Sequence, residues 1–126
     1  MLAEVEPSPR RTVLIVDDEA LVRKTAATMI ADFGYTVLQA SDAEQAIDWL
    51  EERPGIFLVL TDVAMPGSFD GSKLAAFVAG LWPPVRVIVT SGRVDPASVP
   101  MADGVSFLAK PYRAEELEAR IAELAI

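Results

Sequence analysis

The chain predicts an α/β fold: one parallel five-stranded sheet covered by helices on both faces, a (βα)5 three-layer sandwich. Three observations predict it. From Thr12 onward, short apolar runs alternate with stretches of helical periodicity. The joints are short and punctuated by Gly34, Pro54-Gly55 and Pro83-Pro84. The runs also differ in greasiness. Those ending at Val16, Thr61 and Val89 are nearly continuous Val, Ile and Leu, as strands buried on both faces are, whereas Tyr35–Ala40 and Val105–Ala109 carry polar breaks that suit edges. Edges at the second and fifth strands give the flavodoxin-like order 2-1-3-4-5, whose switch point lies beside the first strand.

Each element follows from local pattern. Residues 1–10 are polar, carry Pro7 and Pro9, and read as a flexible N-terminal lead; residues 11–126 read as one domain. Thr12–Val16 is a strand. Glu19–Phe33 is a helix with Val22, Ala26, Met29, Ile30 and Phe33 on one face, closed by Gly34. Tyr35–Ala40 is the second strand. Ser41 and Glu44 have capping-box spacing and open a helix that buries Ala43, Ala46, Ile47 and Leu50. The strand Ile56–Thr61 leads through a loop to a helix from about Asp70 to Leu81, packing Leu74, Val78 and Leu81. Val85–Val89 and Val105–Ala109 are the last two strands, and Arg113–Ala125 is a helix with Leu117, Ile121 and Leu124 inward. Pro96 and Pro100 interrupt the fourth crossover, so a helix there is short or loose.

Composition narrows the function. The chain has 126 residues and a net charge of −8, which disfavours direct binding of nucleic acid or of an anionic membrane. It contains neither cysteine nor histidine, which removes thiol catalysis, a histidine nucleophile or base, and the usual zinc sites. No stretch has the length of a membrane span and the first residues lack a signal-peptide core, so a cytoplasmic location is expected.

The chemistry gathers at strand ends. Asp17 and Asp18 follow the first strand, Asp62 follows the third, and Lys110-Pro111 follows the fifth. A 2-1-3-4-5 sheet brings Asp17, Asp18 and Asp62 to one carboxyl edge, where such folds bind ligands. Crowded carboxylates repel, and either a proton or a cation must relieve them. Oxygen-only donors favour a hard ion such as Mg²⁺, and a lysine beside that ion suits a phosphoryl group.

In this arrangement the chain resembles a receiver domain of the two-component response-regulator family, from Thr12 to Leu124. The resemblance is carried by Asp17-Asp18-Glu19, by Asp62 with Met65-Pro66 and Asp70-Gly71, by Thr90-Ser91-Gly92, and by Lys110-Pro111. It implies that Asp62 is the phosphoacceptor, its carboxylate attacking phosphorus to form an acyl phosphate. It implies Mg²⁺ bound by Asp18 and Asp62 directly, by the backbone carbonyl of Ala64, and by Asp17 through water. Lys110 and Thr90 would contact phosphoryl oxygens, and Phe107 stands where the family places a switch aromatic whose rotamer follows the threonine. The Lys110–Pro111 bond is commonly cis in similar domains. The implied donor is a histidine kinase or histidine phosphotransfer protein, and the implied output is a further, unidentified protein partner.

Departures from the family pattern bear on the output. One extra residue lies between Met65-Pro66 and Asp70-Gly71, so the loop beside Asp62 should bulge. Phe107 has no hydroxyl, and the interrupted fourth crossover weakens a usual dimer face, so a monomer or weak dimer is expected. The chain reads as a stand-alone or excised receiver whose catalysis is confined to its own phosphorylation and dephosphorylation, not as a turnover enzyme. Two rivals remain. A Mg²⁺-dependent phosphohydrolase with an aspartyl nucleophile usually needs an acid two residues after it, and that position is Ala64. A pseudo-receiver that binds partners without phosphorylation is disfavoured by the intact Asp17, Asp18, Asp62, Thr90 and Lys110.

Overall fold

Strand propensity and strand burial agree along the chain, and the sheet forms accordingly. The computed structural model describes residues 11–62, 71–92 and 105–125. Within them, β1 (Thr12–Val16), β2 (Thr36–Ala40), β3 (Ile56–Asp62), β4 (Arg86–Ser91) and β5 (Val105–Ala109) pair in parallel in the order β2-β1-β3-β4-β5. The helices are α1 (Ala20–Asp32), α2 (Ala43–Glu52), α3 (Gly71–Leu81) and α4 (Ala114–Leu124). The expected N-terminal lead, the bulged loop after Asp62 and the loose fourth crossover fall outside the described residues.

Alternation along the strands divides the core in two. Val13, Ile15, Leu58, Leu60 and Ile88 pack with α1 and α4, while Leu14, Val16, Val59, Val87 and Val89 pack with α2 and α3. The central strands are buried on both faces because each supplies an apolar side chain at nearly every position, each worth about 1.5–3 kcal/mol when removed from water. A register shift between Thr12 and Val13 lets β3 fit one extra residue, Phe57, beside β1. Phe57 stacks on Tyr35 with ring centres 5.7 Å apart, and the Arg11 guanidinium lies 5.2 Å above its ring. Tyr35 precedes β2 instead of opening it, the ladder to β1 starting at Thr36.

Helix ends obey their caps, with two corrections. Gly34 takes φ 103° just after α1, a left-handed conformation that suits glycine. The cap of α2 is Asp42 and not Ser41: the Asp42 carboxylate accepts from the Gln45 amide at 2.8 Å, and Gln45 Oε1 accepts from the Ser41 amide at 2.9 Å. An aspartate is at least as good a cap as a serine, and this choice turns Ala43, Ala46 and Leu50 inward. The second correction concerns Leu81, which is 59% exposed instead of packed. Its expected place is taken by Trp82, whose amide closes the last turn onto Val78 and whose ring packs against the core and against Phe77 at 5.9 Å.

Candidate functional site

The carboxyl edge is built by continuing the ladder past the strand ends. Asp62 stands opposite Thr90 in register, and Val16 stands opposite both Ala40 and Thr61. One residue beyond, the Asp17 amide donates to the Ala40 carbonyl at 3.1 Å, and the Lys110 amide donates to the Ser91 carbonyl at 3.0 Å. Neighbouring strands ending at equal height bring Asp17, Asp62, Thr90 and Lys110 together, as the order 2-1-3-4-5 requires.

Lys110 Nζ lies 3.0 Å from Asp62 Oδ2 and 3.7 Å from Asp17 Oδ2. The Lys110–Pro111 peptide bond is cis. Asp17 is buried, and its Oδ1 accepts from the Glu19 amide at 2.9 Å. Burial pushes the Asp17 carboxyl above the ordinary carboxylate range; the Glu19 amide and Lys110 oppose that, while the charges of Asp62 and Asp18 add to it. Burial alone would lower Lys110, but its hydrogen bond and charge contact with Asp62, together with Asp17, hold its ammonium above the ordinary lysine range. One cation thus bridges two acids.

The other expected residues divide. Asp18 is exposed, on the solvent side of the same turn. Thr90 is buried and donates from Oγ1 to the Thr61 carbonyl at 3.4 Å, a long contact that a better acceptor could replace. Phe107 is half-buried, faces Val89 in register and packs with the α2–α3 side of the core; its carbonyl accepts from Arg120 at 2.8 Å. Ala64 lies outside the described residues.

Two contributors escaped sequence reasoning. Thr61 and Tyr112 share with Asp17, Asp62, Thr90 and Lys110 the lining of a cavity of about 10 Å³, about enough for one water. Tyr112 is half-buried; burial raises its phenol, Lys110 lowers it, and Asp17 and Asp62 raise it, so it stays neutral at neutral pH. Its position directly after Lys110-Pro111 was the available signal. Tyr112 also belongs to a groove of about 580 Å³ beside Lys110, with Leu21, Val22, Met29 and Pro111. Leu21 in that groove is 76% exposed.

Among the described residues no three acidic side chains converge tightly enough to hold a metal ion by themselves. The donor chemistry nonetheless suits a hard cation. The candidate ligands are all oxygens, and Asp17 carries an electrostatic load from Asp62 and Asp18 that a cation would relieve. Also among the described residues, no helix is long and apolar enough to cross a membrane.

Comparison with known proteins places the chain in a family. The model of the response regulator receiver domain matches residues 13–122. The chain is 32% identical over 117 residues to the sensor kinase CckA of Brucella abortus, covering 90% of this chain and 12% of that protein. It is 37% identical over 110 residues to the positive alginate biosynthesis regulatory protein of Pseudomonas aeruginosa, covering 83% of this chain and 43% of that one. It thus spans less than half the length of either. The crystal structure of the receiver domain from the hybrid histidine kinase CckA superposes with a TM-score of 0.77 at 34% identity, covering 91% of this chain and 99% of that one. The parallel sheet, the acids and lysine gathered at its carboxyl edge, and a family match over nearly the whole described fold give one conclusion: the chain belongs to the response regulator receiver domain family.

Proposed function

We propose that this receiver accepts a phosphoryl group from a partner phosphohistidine onto Asp62 and signals by binding another protein differently in its two states. The observation that carries the reading is Lys110, which stands 3.0 Å from Asp62 and 3.7 Å from Asp17. An ammonium held at the nucleophile is placed to meet the charge that arrives with a phosphoryl group. An Asp62 carboxylate oxygen attacks phosphorus as the bond from phosphorus to the histidine nitrogen breaks. The imidazole leaves with that electron pair and takes up a proton. Lys110 then transfers its contact to a phosphoryl oxygen, and the Thr90 hydroxyl exchanges its long bond to Thr61 for another. Phe107, beside Val89, follows that movement by repacking.

Asp17, Asp18, Asp62 and the Ala64 carbonyl would hold Mg²⁺, which when bound supplies neutralising charge at the transferring phosphoryl group. The donor is a histidine kinase or histidine phosphotransfer protein, and the apolar groove around Leu21 and Tyr112 supports docking of such a protein beside Lys110. Residues 11–126 form the working domain, in the cytoplasm, where ATP-dependent kinases make phosphohistidine. The phosphoryl group passes on or is lost by hydrolysis, so no substrate is turned over.

Incubation with acetyl phosphate and Mg²⁺ should add one phosphoryl group, seen by intact mass. Asp62→Asn should take up none. Equal labelling of that variant would remove Asp62 from the role, and no labelling of wild type by acetyl phosphate or by any phosphorylated kinase would favour a pseudo-receiver.

A further inference from the structure

Arg23 holds the acid turn from outside the site. It stands on α1 one turn after Glu19, and its amide makes a helical bond to the Glu19 carbonyl at 2.9 Å. Its side chain turns back from the helix. Nη1 donates to the Asp17 carbonyl at 2.9 Å, and Nε donates to Gln39 Oε1 on β2 at 3.1 Å. The Gln39 carbonyl in turn accepts from Trp49 Nε1 on α2 at 2.9 Å. Asp17 is therefore tied at three atoms: its amide to Ala40, its carbonyl to Arg23, and its Oδ1 to the Glu19 amide.

The Asp17 carbonyl belongs to the peptide that joins Asp17 to Asp18, so a donor on that oxygen fixes the plane from which Asp18 departs. A guanidinium is a planar, permanently charged fork, suited to bridging acceptors on two elements. We propose that Arg23, braced by Gln39, is a positioning residue that sets the orientation of the Asp17–Asp18 peptide and thereby the cation affinity of the acid turn. This rests on the reading of Asp17, Asp18 and Asp62 as the cation and phosphoryl site.

Two effects of Arg23 have opposite signs. As a charge it repels a metal ion, so its removal would tighten binding. As a support for the turn its loss loosens the ligands, and removal of such a supporting partner typically weakens metal binding by about 10–100-fold. Arg23 donates to a main-chain carbonyl and not to a carboxylate, so its loss frees the peptide without taking an ion partner from Asp17. Support outweighs repulsion.

The test is titration of the full chain with MgCl₂, followed by calorimetry, alongside acetyl phosphate labelling. Arg23→Met should weaken Mg²⁺ binding about tenfold. Arg23→Lys, keeping one donor, should recover part of it. Gln39→Leu should weaken binding less, and the double variant should bind no worse than Arg23→Met, because Gln39 acts through Arg23. Ile30→Val, on the buried side of α1, should lower stability while leaving Mg²⁺ affinity at the wild-type value. Unchanged or tighter binding in Arg23→Met, additive losses in the double variant, or an equal loss in Ile30→Val would each overturn the proposal. A folded wild type that fails to bind Mg²⁺ would overturn both the proposal and the reading beneath it. A wild type that binds and is labelled, with Arg23→Met its equal, would overturn the positioning role alone.

Discussion

Replacing Asp17 with asparagine should stabilise the metal-free protein at neutral pH. Three contributions decide the sign. The attraction to Lys110 at 3.7 Å is about 4 kcal/mol at an effective dielectric of 20. Because Lys110 touches both acids, the Asp17 and Asp62 oxygens are no more than about 7 Å apart and repel by at least about 2 kcal/mol on the same scale. Asp18 adds to that repulsion. Repulsion offsets at least about half of that attraction, and burial of the carboxylate, the largest influence on Asp17, decides the outcome against the charged form. Asparagine keeps an oxygen for the Glu19 amide and removes the charge, a net gain on the order of 1 kcal/mol, or a melting temperature higher by about 3–5 °C.

The pH dependence follows by linkage. The folded-state pKa of Asp17 is raised above its unfolded value, so between the two the native protein binds more protons than the unfolded chain. Wild-type stability therefore falls as pH rises through that window, and the penalty is complete above the folded pKa. Asparagine has no such penalty. Its advantage, measured by thermal unfolding in the presence of a chelator, should be largest at neutral pH and shrink as pH falls toward the ordinary carboxylate range. An asparagine variant that is less stable than wild type at neutral pH, or whose advantage grows on acidification, would refute the reasoning.

Mg²⁺ should raise the melting temperature of wild type by binding the native state, and Asp18→Ala should abolish most of that rise; an unchanged rise would remove Asp18 from the ligand set. Leu21→Glu alters an exposed groove residue, so it should change stability by no more than about 0.5 kcal/mol. It should slow labelling from a phosphorylated protein donor while leaving labelling by acetyl phosphate unchanged, and equal slowing of both would place the effect in the site and not the groove. Among the described residues, a Cβ at Gly92 would meet only the Lys110 Cβ at 3.7 Å, an ordinary contact. Gly92→Glu together with Ala64→Asn should, by offering polar anchors for a water in line with phosphorus, shorten the acyl phosphate lifetime. Wild type losing its label as fast as that variant would refute the water-positioning argument.

What could be read from sequence was whatever repeats along the chain. Val13–Val16 and Leu58–Leu60 announce buried strands because both faces are apolar, and once the strands are ranked the order places Asp17 and Asp62 at adjacent ends. Single-residue choices were harder. Ser41 and Asp42 are both good caps, and only the inward face of Ala43, Ala46 and Leu50 selects Asp42. Leu81 and Trp82 compete for one core position, and the larger ring takes it because the helix ends there.

The same limit governs the site. Asp17 and Asp18 are adjacent acids just beyond a strand, where alternation no longer says which one turns inward. The structure buries Asp17 and exposes Asp18 because the Asp17 amide prolongs the ladder to Ala40 and its side chain caps the Glu19 amide. Arg23 was invisible for a related reason. In sequence it is one more polar position on a helix, and its partner is a carbonyl that any residue at position 17 would carry. Hydrophobic patterning thus announces the frame, and the motif letters announce the reacting groups. The residues that orient those groups act through main-chain atoms, which have no letter of their own.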